Sequence, residues 1–311
     1  MKLIVELWGD LQNLSIGEIR GILEGEEIPY KIILEDYPII LLEAENGKFL
    51  QRAGLIRRVS QHLYSGRDIP RLNLYMEDYV IRVRRREKNI GPKNIERTLG
   101  KGIEGSVDLK NPKNVIRVYI TSHIHVGLEI FEVRSEEFEK RKAKNLPISY
   151  PITMHPRLAR AMVNLARVKE GSKIIDPFCG TGSILIEAGL MGMHIYGSDI
   201  DLRMIDASEI NLRKFGLKAH LKVSDVGGIE GKYDAVITDP PYGRSSSTKG
   251  ESIYSLYERA FKKFSEITEK VVIALPDKRA INIGKKYFHL REVYPIRVHK
   301  SLTRYFSYYQ K

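Results

Sequence analysis

Cysteine is almost absent from this 311-residue chain: Cys179 stands alone. One thiol excludes an internal disulfide framework and any zinc site built on cysteines, so no metal is expected. Long apolar runs are missing as well. No stretch of eighteen apolar residues occurs, so no membrane span is expected. Lys2–Trp8 alternates like a strand and carries no cleavage pattern of a secretory leader. These features fit a reducing cytoplasm. Internal repeats and low-complexity tracts are not found.

Acidic residues are the minority, at 39 against 51 Lys and Arg, and the resulting charge of +12 is unevenly spread. Residues 1–50 carry −6, residues 51–150 carry +9, and residues 151–311 carry +9. Two readings follow. The basic segments meet a polyanion, or they are the solvated Lys/Glu surface of a heat-adapted protein.

The stretch around which the rest is organised is Lys173-Ile174-Ile175-Asp176-Pro177-Phe178-Cys179-Gly180-Thr181-Gly182. A short apolar strand ends in an acid, a glycine turn follows, and residues 183–190 have a helical pattern. This is the opening unit of a doubly wound sheet, which places ligands where a strand's carboxyl end meets a helix N-terminus. The turn has neither dinucleotide nor phosphate-loop spacing, and no lysine follows its glycines. An acid before the glycines suits a ligand with a cationic reactive end, such as S-adenosylmethionine.

Two more strands end in acids. Asp199 closes residues 193–199, where an acid meets a ribose hydroxyl pair, and Asp225 closes residues 220–225, placed for an adenine amine. Asp201 reads as a helix cap. A fourth strand, Tyr233–Thr238, delivers Asp239-Pro240-Pro241-Tyr242-Gly243. Two prolines stiffen that turn and remove two N–H donors. Asp239 and the Pro240 carbonyl can then accept from one planar amino group, while Tyr242 offers a face for a base to stack on. His155 precedes Pro156, where the chain is extended, and reads as a helix start near the ligand rather than as a general base.

Ahead of this domain, residues 1–50 read as a small α+β unit and residues 51–140 as a second one. Residues 54–63 read as an amphipathic helix. Asp78–Arg86 is a strand with Val80, Arg82 and Arg84 on one face and Tyr79, Ile81 and Val83 on the other. Arg82, Arg84, Arg85 and Arg86, followed by Lys93, Arg97 and Lys101, form a candidate phosphate grip; charge that blunts an edge strand is the competing reading. Residues 141–149 read as a basic linker, and 150–311 as a doubly wound domain closed by a hairpin whose loop is also basic.

The strand at Ile81-Arg82-Val83-Arg84-Arg85, the helix around Ile95-Glu96-Arg97 and the strand pair after Asn111-Pro112 resemble a THUMP domain behind a ferredoxin-like one. The Asp176–Gly182 and Asp239–Gly243 motifs resemble class I S-adenosylmethionine-dependent methyltransferases acting on a planar amine. With Met154–Ala166 and Val298–Arg304, the whole chain is similar to the archaeal THUMP-containing tRNA guanine-10 N2-methyltransferases. The resemblance implies an enzyme that binds tRNA, holds S-adenosylmethionine, releases S-adenosylhomocysteine and adds one or two methyl groups to N2 of guanosine 10; a monomer is expected. It implies catalytic roles for Asp239, Pro240, Pro241 and Tyr242. Cofactor contacts are expected at Thr153, His155, Asp176, Phe178, Cys179, Gly180, Thr181, Gly182, Asp199, Ile200, Asp225, Val226 and Asp239. RNA contacts are expected at the seven basic residues of the grip and at Arg244, Lys300 and Arg304. Relatives acting at guanine 6 or on ribosomal RNA tend to carry Asn where Asp239 stands. Other readings are a guanine-N2 enzyme for another RNA site, a methyltransferase for adenine N6 or a protein amide, and an RNA-binding protein with a relic fold. Deleting residues 1–145 is expected to leave cofactor binding and remove tRNA affinity.

Overall fold

The structure is a computed structural model and describes residues 1–85, 92–150, 153–242, 251–299 and 302–311. It divides into two compact units: residues 1–15, 28–51 and 55–134 form the first, and residues 16–27, 52–54 and 135–311 the second.

The chain opens with β1 (Lys2–Leu7), α1 (Gln12–Gly25), β2 (Tyr30–Asp36), β3 (Ile39–Ala44) and β4 (Ile56–Gly66). It continues through β5 (Leu74–Tyr75), β6 (Tyr79–Arg85), α2 (Pro92–Gly100), β7 (Ile103–Glu104), β8 (Asn114–Ile120) and β9 (Ile124–Glu132). One seven-stranded sheet, in the order β2-β3-β1-β4-β9-β8-β6, takes in strands from both sides of residue 50. The helix expected over 54–63 is therefore a strand. Leu55, Ile56, Val59 and Leu63 have helical spacing, but β4 pairs with β1 on one side and β9 on the other. Ten residues with a β-branched centre are ambiguous in isolation, and the two ladders decide. The sheet curls, since Leu34 of β2 packs into a cluster with Tyr119 of β8.

The second unit holds α3 (Ser135–Lys140), α4 (Pro156–Leu165), β10 (Lys173–Asp176), α5 (Ser183–Gly189), β11 (His194–Asp199), α6 (Leu202–Lys214) and β12 (His220–Val223). Then follow β13 (Ala235–Thr238), α7 (Ile253–Ile267), β14 (Lys270–Leu275), α8 (Lys278–Gly284), β15 (His289–His299) and β16 (Leu302–Gln310). The sheet order is β12-β11-β10-β13-β14-β16-β15, with β10 to β14 parallel to one another and the closing hairpin antiparallel, β16 also running antiparallel to β14. Strand order reverses between β10 and β13, which is the switch point where such sheets open a ligand crevice. Phe261, Phe264, Tyr257 and Tyr309 fill the core beneath β13 and β14.

Arg141, expected in a solvated linker, is buried. Its Nε donates to Glu187 Oε1 at 2.5 Å, and Arg160 Nε donates to the other carboxylate oxygen at 2.7 Å. Arg141 and Arg157 also lie 4.6 and 4.3 Å from the Phe138 ring centre. A buried carboxylate with two guanidinium partners fixes this segment far more firmly than a surface pair would.

Candidate active site

Three carboxylates gather at the switch point. Asp176 ends β10 and is 2% exposed. Its Oδ1 accepts from Thr238 Oγ1 at 2.6 Å and from the Phe178 N–H at 3.1 Å. Burial pushes its pKa up to about 7, the two hydrogen bonds oppose this, and the charges of Asp239 and Asp199 add to it. Asp199 ends β11, and its oxygens accept from the Gly180 and Asp201 N–H groups at 3.1 and 3.0 Å. Burial raises its pKa against those donors. Asp239 follows β13 and is half-buried; burial raises its pKa while Arg304 and the Tyr242 hydroxyl pull it back.

The glycine turn lies between them. Gly180 and Gly182 adopt φ of 50° and 83°, left-handed values that favour glycine. A Cβ on Gly180 would enter open space, whereas one on Gly182 would meet Ser208 Oγ at 2.6 Å. Thr181 is held by Asn211 Nδ2 on its carbonyl, and its hydroxyl lies 3.3 Å from that of Thr153. Cys179 is buried, with its N–H on the Ser198 carbonyl, and burial pushes its thiol far up, so it is no nucleophile. Phe178 packs on the core at the rim. His155 is extended at the N-cap of α4, where Nδ1 accepts from the Arg157 N–H at 3.2 Å. Burial lowers its pKa.

The turn after β13 is anchored in ways its sequence does not reveal. The Tyr242 hydroxyl donates to Asp239 Oδ1, and Arg304 of β16 meets Asp239 Oδ2 at 3.1 Å. The Tyr257 hydroxyl, from the core of α7, donates to the Pro241 carbonyl at 2.8 Å. Arg304, expected on phosphate, is thus paired with the acid and lies 5.3 Å from the centre of the Tyr242 ring. Thr238 and Tyr257 were not singled out by sequence reasoning. Thr238 had a signal, a hydroxyl ending an otherwise apolar strand; Tyr257 had none, being one aromatic among several on an amphipathic helix.

Asp225 stands apart from the other acids. It caps a short turn and pairs with Arg259 at 2.7 Å, and that hydrogen bond holds its pKa low. The Val226 side chain belongs to the core, so only its backbone is available to a ligand. Ile200, directly after Asp199, is 43% exposed.

In the first unit, Lys93 and Arg97 of α2 and Lys101 just past its end are exposed at four-residue spacing, opposite buried Ile95 and Leu99. Arg82 is exposed and donates to the Leu109 carbonyl. Arg84 reaches the buried carboxylate of Glu6, which also meets Arg58 and the Tyr119 hydroxyl, while the rest of its side chain stays partly exposed. The Arg85 side chain and Arg86, Gly243, Arg244 and Lys300 lie outside the described residues.

The family model described as RMKL-like, methyltransferase domain matches residues 145–305, and one described as DNA methylase matches residues 74–210. The chain is 33% identical to the tRNA (guanine(10)-N2)-dimethyltransferase of Methanothermobacter thermautotrophicus over 98% of both chains. It is 36% identical to the enzyme of that name from Pyrococcus abyssi over 97% of both. The crystal structure of TrmN from Thermus thermophilus aligns over all of both chains with a TM-score of 0.55 and 17% identity, a likeness of fold. Fold and site together define a methyltransferase of the doubly wound α/β class. At this identity over nearly its full length, the chain belongs to the tRNA (guanine(10)-N2)-dimethyltransferase family.

Proposed function

We propose that this chain transfers methyl groups from S-adenosylmethionine to the exocyclic N2 of guanosine 10 in tRNA, and that one site performs both transfers. The observation that carries the reading is the carboxylate of Asp239, held by Tyr242 and Arg304 on a proline turn anchored by Tyr257, beside the acids that end β10 and β11.

The residues present suit the cofactor. Asp199, fixed by two backbone donors, has lone pairs left for a ribose diol. Ile200 supplies an exposed apolar surface for a base, and the open space at Gly180 lets a ligand approach the backbone. Asp176 adds negative charge to the crevice. When bound, S-adenosylmethionine supplies a methyl group on a cationic sulfur.

The guanine amine is a poor nucleophile because its lone pair is delocalised into the ring. Asp239 accepts a hydrogen bond from one N2–H and holds the nitrogen in line with the methyl carbon. Accepting the methyl group would place positive charge on N2, and the Asp239 carboxylate is placed to stabilise it. The N2 proton passes to the carboxylate and then to solvent. After the first transfer one N–H remains, so the same acceptor serves again. Positioning of this kind supplies on the order of several kcal/mol of the barrier.

Asp176 makes cofactor affinity pH-dependent. With its pKa near 7, a proton occupies the carboxyl at low pH and leaves when a cation binds. Affinity for S-adenosylmethionine should rise by up to about tenfold per pH unit below 7 and level off above it, as calorimetry between pH 5.5 and 8.5 would record. The sign for stability is opposite. The ligand-free fold retains a proton that the unfolded chain releases above the ordinary carboxylate pKa, so the contribution of Asp176 to stability falls from about pH 4 to about pH 7.

The first unit is read as a THUMP-like tRNA-holding module, with residues 1–50 as the ferredoxin-like part. The exposed row of Lys93, Arg97 and Lys101 supports it. Changing all three to Glu should lower tRNA affinity by about a hundredfold at moderate salt and flatten its salt dependence, while cofactor affinity stays unchanged. Unaltered tRNA binding in a filter-binding assay would remove α2 from the RNA surface. Mass spectrometry of ribonuclease fragments from tRNA incubated with labelled donor tests the reaction itself: label on any base other than guanosine 10 would refute the assignment.

A further inference from the structure

A second constellation of side chains lies in the first unit, whose residues take no part in the transfer described above. Asp36 ends β2, His123 sits in the turn before β9, and His125 lies within β9. Sheet order places β2 four strands from β9, but the curl brings their side chains together. Asp36 Oδ2 lies 3.1 Å from His125 Nε2 and 3.7 Å from His123 Nδ1. The ligand atoms of all three residues lie within 4.8 Å of one another. A tetrahedral zinc ion with bonds of about 2.0–2.1 Å sets its ligand atoms about 3.3 Å apart; the Asp36–His125 spacing already suits one, and the His123 ring, whose Nδ1 lies 2.9 Å from Ser122 Oγ, would turn in to complete the set.

The surroundings match those of metal ligands. His125 is fully buried, and its Nδ1 lies 2.7 Å from Ser65 Oγ, which in turn lies 2.8 Å from His62 Nε2. If His125 Nδ1–H donates to Ser65 and Ser65 donates to His62, the Nε2 lone pair faces Asp36 without movement of any heavy atom. A partner of this kind on the distal nitrogen fixes the tautomer and orientation of a ligating imidazole. Asp36 Oδ2 accepts from Thr121 Oγ1 at 2.6 Å and Ser122 Oγ at 2.7 Å. The expectation of no metal rested on the scarcity of cysteine, and this donor set uses none.

We propose that Asp36, His123 and His125 bind one divalent transition-metal ion of the zinc type, which fastens the end of β2 to β9 across the curled sheet. Three protein ligands of two imidazoles and a carboxylate leave a fourth position for water.

The test uses the full chain, stripped with a chelator and titrated with zinc chloride by calorimetry, and with cobalt(II) by visible absorption. One equivalent should bind, the cobalt complex should show the intense visible bands of tetrahedral coordination, and zinc should raise Tm. His123→Asn, at a part-exposed position, and Asp36→Asn should each weaken binding at least tenfold and abolish the Tm increment. Absence of saturable binding by the wild-type chain would overturn the proposal and leave a hydrogen-bonded cluster. Undiminished binding by both variants would overturn it too, because the metal would then sit elsewhere. Methyl transfer is read in parallel, and its loss or survival bears on the other site alone.

Discussion

Asp239→Ala should lower kcat for methyl transfer by about a thousandfold or more while leaving S-adenosylmethionine affinity within a few-fold of wild type. The size follows from the role. The carboxylate acts where charge develops, and removing one such group commonly costs a hundred- to a thousandfold; here the acceptor that orients the amine goes with it. The selectivity for kcat follows from position. Asp176 and Asp199 each keep their own hydrogen bonds when Asp239 is removed. Asp239→Asn is the sharper variant, since its shape is retained and its remaining oxygen can still accept, yet it is neutral and sets an amide beside Arg304. It should also lose at least a hundredfold. Single-turnover transfer to tRNA, with calorimetry on the same samples, separates the two quantities. Wild-type turnover in Asp239→Asn would show that neither charge nor proton acceptance is needed there. Loss of cofactor affinity equal to the loss of kcat would instead move Asp239 into cofactor binding.

Much of this site is legible in the sequence because it is local. Each acid ends a short apolar strand, and in a parallel sheet all strand carboxyl ends lie on one edge, so three such acids converge whatever the side chains elsewhere do. The glycine turn and proline turn are read the same way, from residues adjacent in the chain. What escaped depends on partners far away. Arg304 is expected on RNA phosphate, yet its partner is 65 positions earlier in the sequence. Tyr257 anchors Pro241 from a helix whose pattern says only that one face is buried. Arg141 looked like part of a solvated run, and Glu187 lies 46 residues on. Asp225 matched the pattern of the other acids, but Arg259 from α7 holds it. The strand at 56–66 needed two ladders, one from each side, to overrule a helical spacing. Long-range pairing of buried charge and of strands leaves no periodic trace.

The same distance problem reverses the expectation for truncation, and a fragment of residues 146–311 should neither fold cooperatively nor bind cofactor. The second unit contains residues 16–27 and 52–54 as well as the C-terminal part of the chain. In α1, Gly17, Gly21 and Gly25 recur every four residues. A Cβ on Gly21 would stand 2.3 Å from the Asn164 carbonyl oxygen, and one on Gly25 would stand 2.9 Å from the Arg167 carbonyl carbon. The helix backbone therefore lies directly on the end of α4, which is why glycines persist in a helix that would be about 1 kcal/mol per position better with alanine. Polar groups lock the contact. Glu18, fully buried, accepts from the Gly54 N–H at 2.7 Å and from Asn164 Nδ2 at 2.8 Å, while Arg157 Nη1 donates to the Gly54 carbonyl at 2.6 Å. Cutting before residue 146 removes Ile19, Ile22 and Leu23, all fully buried, each representing roughly 1.5–3 kcal/mol of apolar burial. It also strips partners from Asn164, Arg157, Arg160 and Glu187, at about 1–3 kcal/mol for each buried group left unsatisfied. Together these are as large as the roughly 5–15 kcal/mol that holds a domain folded. In the intact chain, Gly21→Leu should lower Tm by more than 10 °C through the same contact. Circular dichroism melts and calorimetry on both proteins provide the check: a fragment with a cooperative melt and wild-type cofactor affinity would mean that the sheet of β10 to β16 is self-sufficient and that α1 is merely seated on it.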